Sequence, residues 1–158
     1  MWLSLLVAAL TLAVDRITKL WAYYVLQPIQ DIPLWEGVFH LTYARNTGAA
    51  FSFLAGKQWI LIVFTLIAVG IMGYFLVRYR SGMGRFLRTI LGLLLGGAIG
   101  NLIDRIVYGY VIDFLYFKLI NFAIFNVADS CLVIGAILLG IYILFVHDRS
   151  CSFFCVIS

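Results

Sequence analysis

Residues 59–77, WILIVFTLIAVGIMGYFLV, run for nineteen positions without one charged side chain. A run of that length fits a helix across a bilayer, where about 20 apolar residues at ~1.5 Å each reach from one interface to the other. No water is available there, so the backbone must close its own hydrogen bonds. Three further stretches repeat the pattern less purely. Residues 2–26 hold Asp15, Arg16 and Lys19 between apolar runs and end in Trp21, Tyr23 and Tyr24, an interfacial aromatic belt. Residues 86–104 carry Gly92, Gly96 and Gly100 at four-residue spacing, with Gly97 beside them, a face for close helix contact. Residues 125–146 form the last apolar stretch. With 65% hydrophobic and 11% charged residues, a soluble chain of 158 residues could not hide its apolar surface. The expected fold is therefore a mainly α membrane protein with four transmembrane helices. It forms one domain over residues 1–148, with a short tail at 149–158.

The polar segments lie between these spans. Arg78, Arg80, Arg85 and Arg88 follow the second span with no acid among them, so that loop is expected on the cytoplasmic side, with both termini. Residues 27–58 and 105–124 then lie outside. Pro28 and Pro33 forbid one continuous helix in the first outer segment. Residues 38–43 and 111–117 are rich in strand formers and predict short strands at the membrane surface. Residues 2–14 are not read as a signal peptide, because a basic leading region and a small-residue cleavage site are missing.

Several chemistries find little support. His40 and His147 are far apart, and Cys131, Cys151 and Cys155 form no metal-ligand spacing or disulfide framework. No metal or cofactor is called for. The net charge of +4 brings no basic tract with interleaved aromatics, so nucleic acid is not an expected partner. The final Cys155-Val156-Ile157-Ser158 matches a prenylation pattern, but four residues without supporting context read as coincidence.

What remains is a cluster of polar residues converging on the outer side. Three of the chain's seven acids, Asp104, Asp113 and Asp129, fall within residues 100–130. A carboxylate in hydrocarbon costs at least ~2.5 kcal/mol. Asn101 and Asn126 each precede an Asp by three positions, and Asn46-Thr47-Gly48 form either a turn or a substrate-binding loop. Asp15 and Lys19, four apart, can pair on one helix face. Two aspartates at short range cannot both ionise easily and share a proton; one then activates water while the other protonates the carbonyl oxygen or leaving amine. Asp104, followed by Arg105, suits a structural ion pair or a loop anchor, whereas Asp113 and Asp129 lie among apolar residues. Asp113 with Asp129 is the favoured pair, and periodicity alone leaves Asp104 with Asp129 open.

Five segments carry a resemblance. They are Asp15-Arg16-Ile17-Thr18-Lys19, Arg45-Asn46-Thr47-Gly48-Ala49-Ala50-Phe51, Gly100-Asn101-Leu102-Ile103-Asp104-Arg105, Val111-Ile112-Asp113-Phe114 and Phe125-Asn126-Val127-Ala128-Asp129-Ser130. Together, across about residues 8–146, the chain resembles the lipoprotein signal peptidases (bacterial signal peptidase II). Each segment alone is weak; five in the family's order are specific. The resemblance implies an aspartyl endopeptidase of the bacterial cytoplasmic membrane, working near the outer leaflet. It would cut diacylglyceryl-modified prolipoproteins just before the lipidated cysteine. The catalytic dyad would be Asp113 and Asp129. Asn46, Gly48, Asn101, Arg105 and Asn126 would line the substrate site, with Asp104, Asp15 and Lys19 in support. It further implies a small β-cradle and a clamping helix on the outer side and globomycin-type inhibitors; membrane lipid is an expected partner, and a monomer is expected because the glycine face can be satisfied within one chain.

Two other classes stand against that reading. A proton-coupled transporter requires polar groups on the inner halves of several spans, where this sequence has almost none. A non-enzymatic assembly factor accounts for the glycine face but leaves the three outer carboxylates without a purpose.

Overall fold

The computed structural model describes residues 1–48, 54 and 56–146. Helix α1 (Trp2–Trp21) continues through a π-helical turn at Ala22–Leu26 into the short α2 (Gln27–Ile29). Strands β1 (Asp31–Trp35) and β2 (Phe39–Asn46) follow, then helices α3 (Gln58–Arg78) and α4 (Arg85–Val107). After β3 (Val111–Phe117) and a 3-10 turn at Lys118–Ile120, the chain closes with α5 (Val127–Ile141), extended in π form over Tyr142–Val146. Among the described residues three helices, Gln58–Arg78, Arg85–Val107 and Val127–Phe145, are long and apolar enough to cross a membrane. α1 has similar length but carries three charges.

α4 is the hub, and its glycines explain why. A Cβ at Gly92 would lie 2.7 Å from Cβ of Val7, one at Gly96 2.6 Å from Cβ of Thr11, and one at Gly100 2.5 Å from Oδ2 of Asp15. Three successive turns of α4 thus seat α1 with its backbone close. Gly97 faces the other way, where a Cβ would stand 2.7 Å from the Ala128 carbonyl oxygen of α5. The glycine face foreseen in the sequence is occupied within one chain. α1 is polar inside and apolar outside: Ser4, Thr11, Asp15 and Lys19 are buried, while Leu6, Leu10 and Ile17 are exposed. α3 and α5 also present large apolar side chains outward, among them Phe64, Ile67, Ile134 and Ile137. Such a surface suits hydrocarbon as its solvent.

At one end of the bundle the three strands form an antiparallel sheet in the order β1-β2-β3. β3 matches the expected 111–117. β2 runs three residues further than the expected 38–43, which places Arg45 and Asn46 on a strand rather than in a loop. β1 was not foreseen; it tolerates Pro33 because it is an edge strand with one free side. Alternation splits the sheet into two faces. On one, Ile112 and Phe114 pack with Tyr43 against Ala22 and Leu26 at the end of α1. The opposite face carries Val111 and Asp113, paired with Asn46 and Ala44. Apart from the ends of α3 and α4, the described residues of 27–58 and 105–124 hold only α2 and the Lys118–Ile120 turn as helical pieces. Ala49, Ala50, Phe51, His147 and the tail at 149–158 lie outside the described residues.

Gly96→Ala is expected to lower thermal stability by roughly 1–3 kcal/mol, because its Cβ would press on the Ala8 carbonyl oxygen 2.7 Å away. Gly73→Ala on α3, with nothing within 4 Å, should melt close to the parent. Thermal unfolding in detergent checks the pair.

Candidate active site

Asp113 sits in the middle of β3 with its side chain buried, facing the bundle. Its two oxygens are held separately: Asn46 Nδ2 donates to Oδ2 at 2.9 Å, and Asn126 Nδ2 donates to Oδ1 at 2.7 Å. Asp129 lies in the first turn of α5, where the spacing of Asn126 and Asp129 forms a reciprocal cap. The Asp129 N–H donates to Oδ1 of Asn126 at 2.9 Å, and the Asn126 N–H donates to Oδ2 of Asp129 at 3.2 Å. The other oxygen of Asp129 accepts from Asn101 Nδ2 at 2.7 Å. Asn101 in turn accepts from Lys19 Nζ at 2.8 Å and Asn126 Nδ2 at 3.2 Å. With Lys19 donating to its carbonyl oxygen, the Asn101 amide group is turned toward Asp129.

Beneath this network is a group of four charges. Lys19 Nζ lies 3.1 Å from Asp15 and 2.9 Å from Asp104. Arg16 lies 3.0 Å from Asp15 and 2.7 Å from Asp104, and also donates to the Gly100 carbonyl. The Asp15–Lys19 pair expected from spacing is present. The Asp104–Arg105 pair is not: Asp104 is taken by Arg16 and Lys19. Arg105, on the last turn of α4, donates to the carbonyls of Gly48 at 3.2 Å and Asn101 at 3.5 Å. Adjacent residues on a helix point about 100° apart, so Arg105 is turned away from the side on which Asp104 faces α1. Arg16 received no role from the sequence, although a second cation beside Asp15 in an apolar helix was the available signal. His40, at the far side of the sheet, is bonded to Asp31 at 2.8 Å and joins nothing in this network.

A cavity of about 1080 Å³ opens between α3 and α5 against α4. One end carries Asn46, Asn101, Arg105, Asp113 and Asp129, while Leu61, Phe64, Met72 and Leu132 line the apolar remainder. The structure thus gathers at one place Asn46, Asn101, Arg105, Asp113, Asn126 and Asp129. Gly48 stands at the edge, its N–H donating to Oδ1 of Asn46 at 2.9 Å. That bond makes Asn46-Thr47-Gly48 a turn and a side-chain mount at once. Burial, and next the nearby charge of Asp129, push Asp113 from 3.8 up to about 7; the amide hydrogens of Asn46 and Asn126 offset only part of this. A carboxyl that holds its proton near neutral pH, beside a second carboxyl, can protonate one atom while its neighbour takes a proton from water.

The sequence matches the family described as Signal peptidase (SPase) II over residues 7–145. The lipoprotein signal peptidase of Clostridium acetobutylicum is 39% identical over 150 residues, covering 93% of this chain and 97% of that protein. The Bacillus subtilis lipoprotein signal peptidase is 43% identical over 142 residues, covering 88% and 91%. A solved bacterial membrane enzyme superposes with a TM-score of 0.80 at 32% identity, covering 94% of this chain and 90% of its own.

The unfolded Asp113 carboxyl titrates near 3.8, so folding takes up a proton between that pH and about 7. Its contribution to stability is full below the lower value and declines as pH rises through the upper one. The melting temperature of the parent is therefore expected to fall from about pH 5 to about pH 8, and that of Asp113→Asn to fall less. Equal slopes in a pH series of melting curves would remove the proton from Asp113.

Proposed function

The chain belongs to the signal peptidase II family, the membrane-embedded proteases that remove signal peptides from prolipoproteins, and we propose that it does so as an aspartic peptidase with Asp113 and Asp129 as its dyad. The observation that carries this reading is the different company kept by the three outer aspartates. Asp104 faces two cations, Arg16 and Lys19, and both of its oxygens are engaged in ion pairs. Asp113 and Asp129 are bonded to neutral amides and line the same cavity.

In this reading the signal peptide enters the cavity as an apolar helix between α3 and α5. Its scissile bond, just before a diacylglyceryl-modified cysteine, comes to rest at the carboxylates. The pair shares one proton. The ionised member takes a proton from water, whose oxygen attacks the carbonyl carbon, and the protonated member gives its proton to the carbonyl oxygen. Collapse of the tetrahedral species then delivers a proton to the leaving amine. Asn46, Asn101 and Asn126 fix the carboxylates; Gly48 and Arg105 line the approach of the substrate backbone. Asp15, Lys19 and Asp104 hold the elements in place. Neither metal nor covalent intermediate is required.

The same reading includes α1 as a fourth span, since its charges are compensated inside the bundle rather than exposed to lipid. The arginine-rich turn between α3 and α4 then faces the cytoplasm, with both termini, and the sheet lies at the outer face of the cytoplasmic membrane. One copy of the chain suffices. Globomycin-type cyclic peptides would compete for the cavity.

Cleavage of a diacylglyceryl-modified prolipoprotein by purified protein in detergent tests the dyad. Asp113→Asn and Asp129→Asn are expected to stay folded and lose at least a hundredfold in rate, roughly what a positioned acid or base supplies. Asp104→Asn is expected to lose stability first, since it leaves buried cations under-compensated. Normal cutting by Asp113→Asn would overturn the assignment.

A further inference from the structure

The face of the sheet turned away from the carboxylates carries a second, polar site. Arg45 stands opposite Ile112 in the β2–β3 pairing, so its side chain belongs to the face opposite Asn46, although the residue also borders the large cavity. Its guanidinium lies 5.1 Å from the ring centre of Tyr110 and 6.0 Å from that of Tyr43. Tyr110 leads into a series of rings: Tyr108 at 5.9 Å, then Tyr23 6.1 Å from Tyr108, then Tyr24 5.2 Å from Tyr23. They come from the π-helical turn after α1, the end of α4 and the start of β3. Tyrosines grouped where spans end sit at the level of lipid headgroups, apolar ring in and hydroxyl out.

Arg45 is exposed and forms no ion pair among the described residues. The acid nearest in sequence to its pocket, Asp31, is turned to His40 and Thr42 instead. Gln27, Gln30, Tyr43 and Arg45 line a polar hollow of about 290 Å³ with no carboxylate in its wall among the described residues. Gln30 holds φ at +72°, costly for a residue with a side chain. It is fixed there from both sides: its N–H donates to Leu26 at 2.7 Å, and its carbonyl accepts from the Tyr43 N–H at 2.9 Å. The structure thus maintains a strained backbone at the wall of a hollow where, among the described residues, the one charge is a cation without an ion-pair partner.

We propose that this hollow binds the phosphodiester headgroup of an anionic phospholipid in the outer leaflet, with Arg45 holding the phosphate. A planar guanidinium stacked on tyrosine is pre-set for two parallel hydrogen bonds to phosphate oxygens. The neighbouring amide and phenol groups offer neutral donors and acceptors for ester oxygens and headgroup hydroxyls. A bound lipid would steady β2 next to Asn46. The site rests on the orientation given above but not on which aspartates cut.

The test uses the full chain in neutral detergent, read by native mass spectrometry and thermal shift, with phosphatidylglycerol or phosphatidylcholine added. The parent is expected to retain one phosphatidylglycerol with a preference of about fivefold to tenfold, the weight of one cation near an anionic headgroup. Arg45→Gln should abolish the preference, Arg45→Lys should keep part of it, and Lys57→Gln, which removes a cation elsewhere outside the spans, should leave it intact. Equal binding of both lipids by the parent, or equal loss in Lys57→Gln, overturns the proposal. So does equal stabilisation by millimolar inorganic phosphate without lipid, which would make this a free-anion site. An unchanged lipid preference with a raised KM in Arg45→Gln would assign the hollow to the substrate peptide instead. Binding is read without cleavage, so an error in the dyad and an error here give different results.

Discussion

Four charges on two helices hold the rest of this molecule in register. Asp15, Arg16 and Lys19 from α1 meet Asp104 from α4, two acids against two bases, so the group is neutral as a whole. Burying ions is unfavourable unless the geometry is good and the remaining valences are filled. Here they are filled by backbone. The second oxygen of Asp15 accepts the N–H of Ala128 at 3.1 Å, and Asp104 accepts the N–H of Ile112 at 3.3 Å. Ala128 precedes Asp129, and Ile112 precedes Asp113. Each carboxylate of the group therefore anchors the chain one residue before Asp129 or Asp113, the pair proposed as the dyad, and a shift of α1 against α4 would move both.

That arrangement depends on how near the helices come. Gly100 leaves room for the Asp15 carboxylate beside the α4 backbone, and Gly97 does the same for the start of α5. In a bilayer such closeness cannot come from hydrophobic exclusion of water, since lipid tails are as apolar as leucine; it comes from backbone packing and polar contacts. The sheet finishes the job from outside. Its two faces divide the labour, one packing on the end of α1 and the other carrying Asp113 toward the amides of Asn46 and Asn126.

The three long apolar helices were legible because bilayer thickness sets the length of such runs, and β3 because Val111 to Phe117 are strand formers between turn residues. The polar side chains that the structure gathers around the cavity were legible because they stand out in so apolar a chain. What stayed hidden depended on distance in space rather than pattern along the chain. Asn46 and Asp113 are 67 positions apart, and nothing local says that one donates to the other. Asp104 read as a partner of Arg105 because they are neighbours, whereas helix geometry sends them to different sides. β1 was hidden by Pro33, which argues against a strand until the strand is known to be at an edge.

Asn126 serves two purposes with one side chain. Its carbonyl oxygen starts α5, and its amide hydrogens hold Asp113 and Asn101. A compound seated against the carboxylates would therefore rest beside a residue with almost no freedom to mutate. Exchange for Asp keeps the cap but sets a third negative charge against the pair; exchange for Ser keeps a cap but loses the reach to Asp113. With Asp113 and Asp129 as the proposed dyad, resistance by altering this wall of the site would disarm the enzyme that acquired it, and would have to arise instead among the apolar side chains further along the cavity.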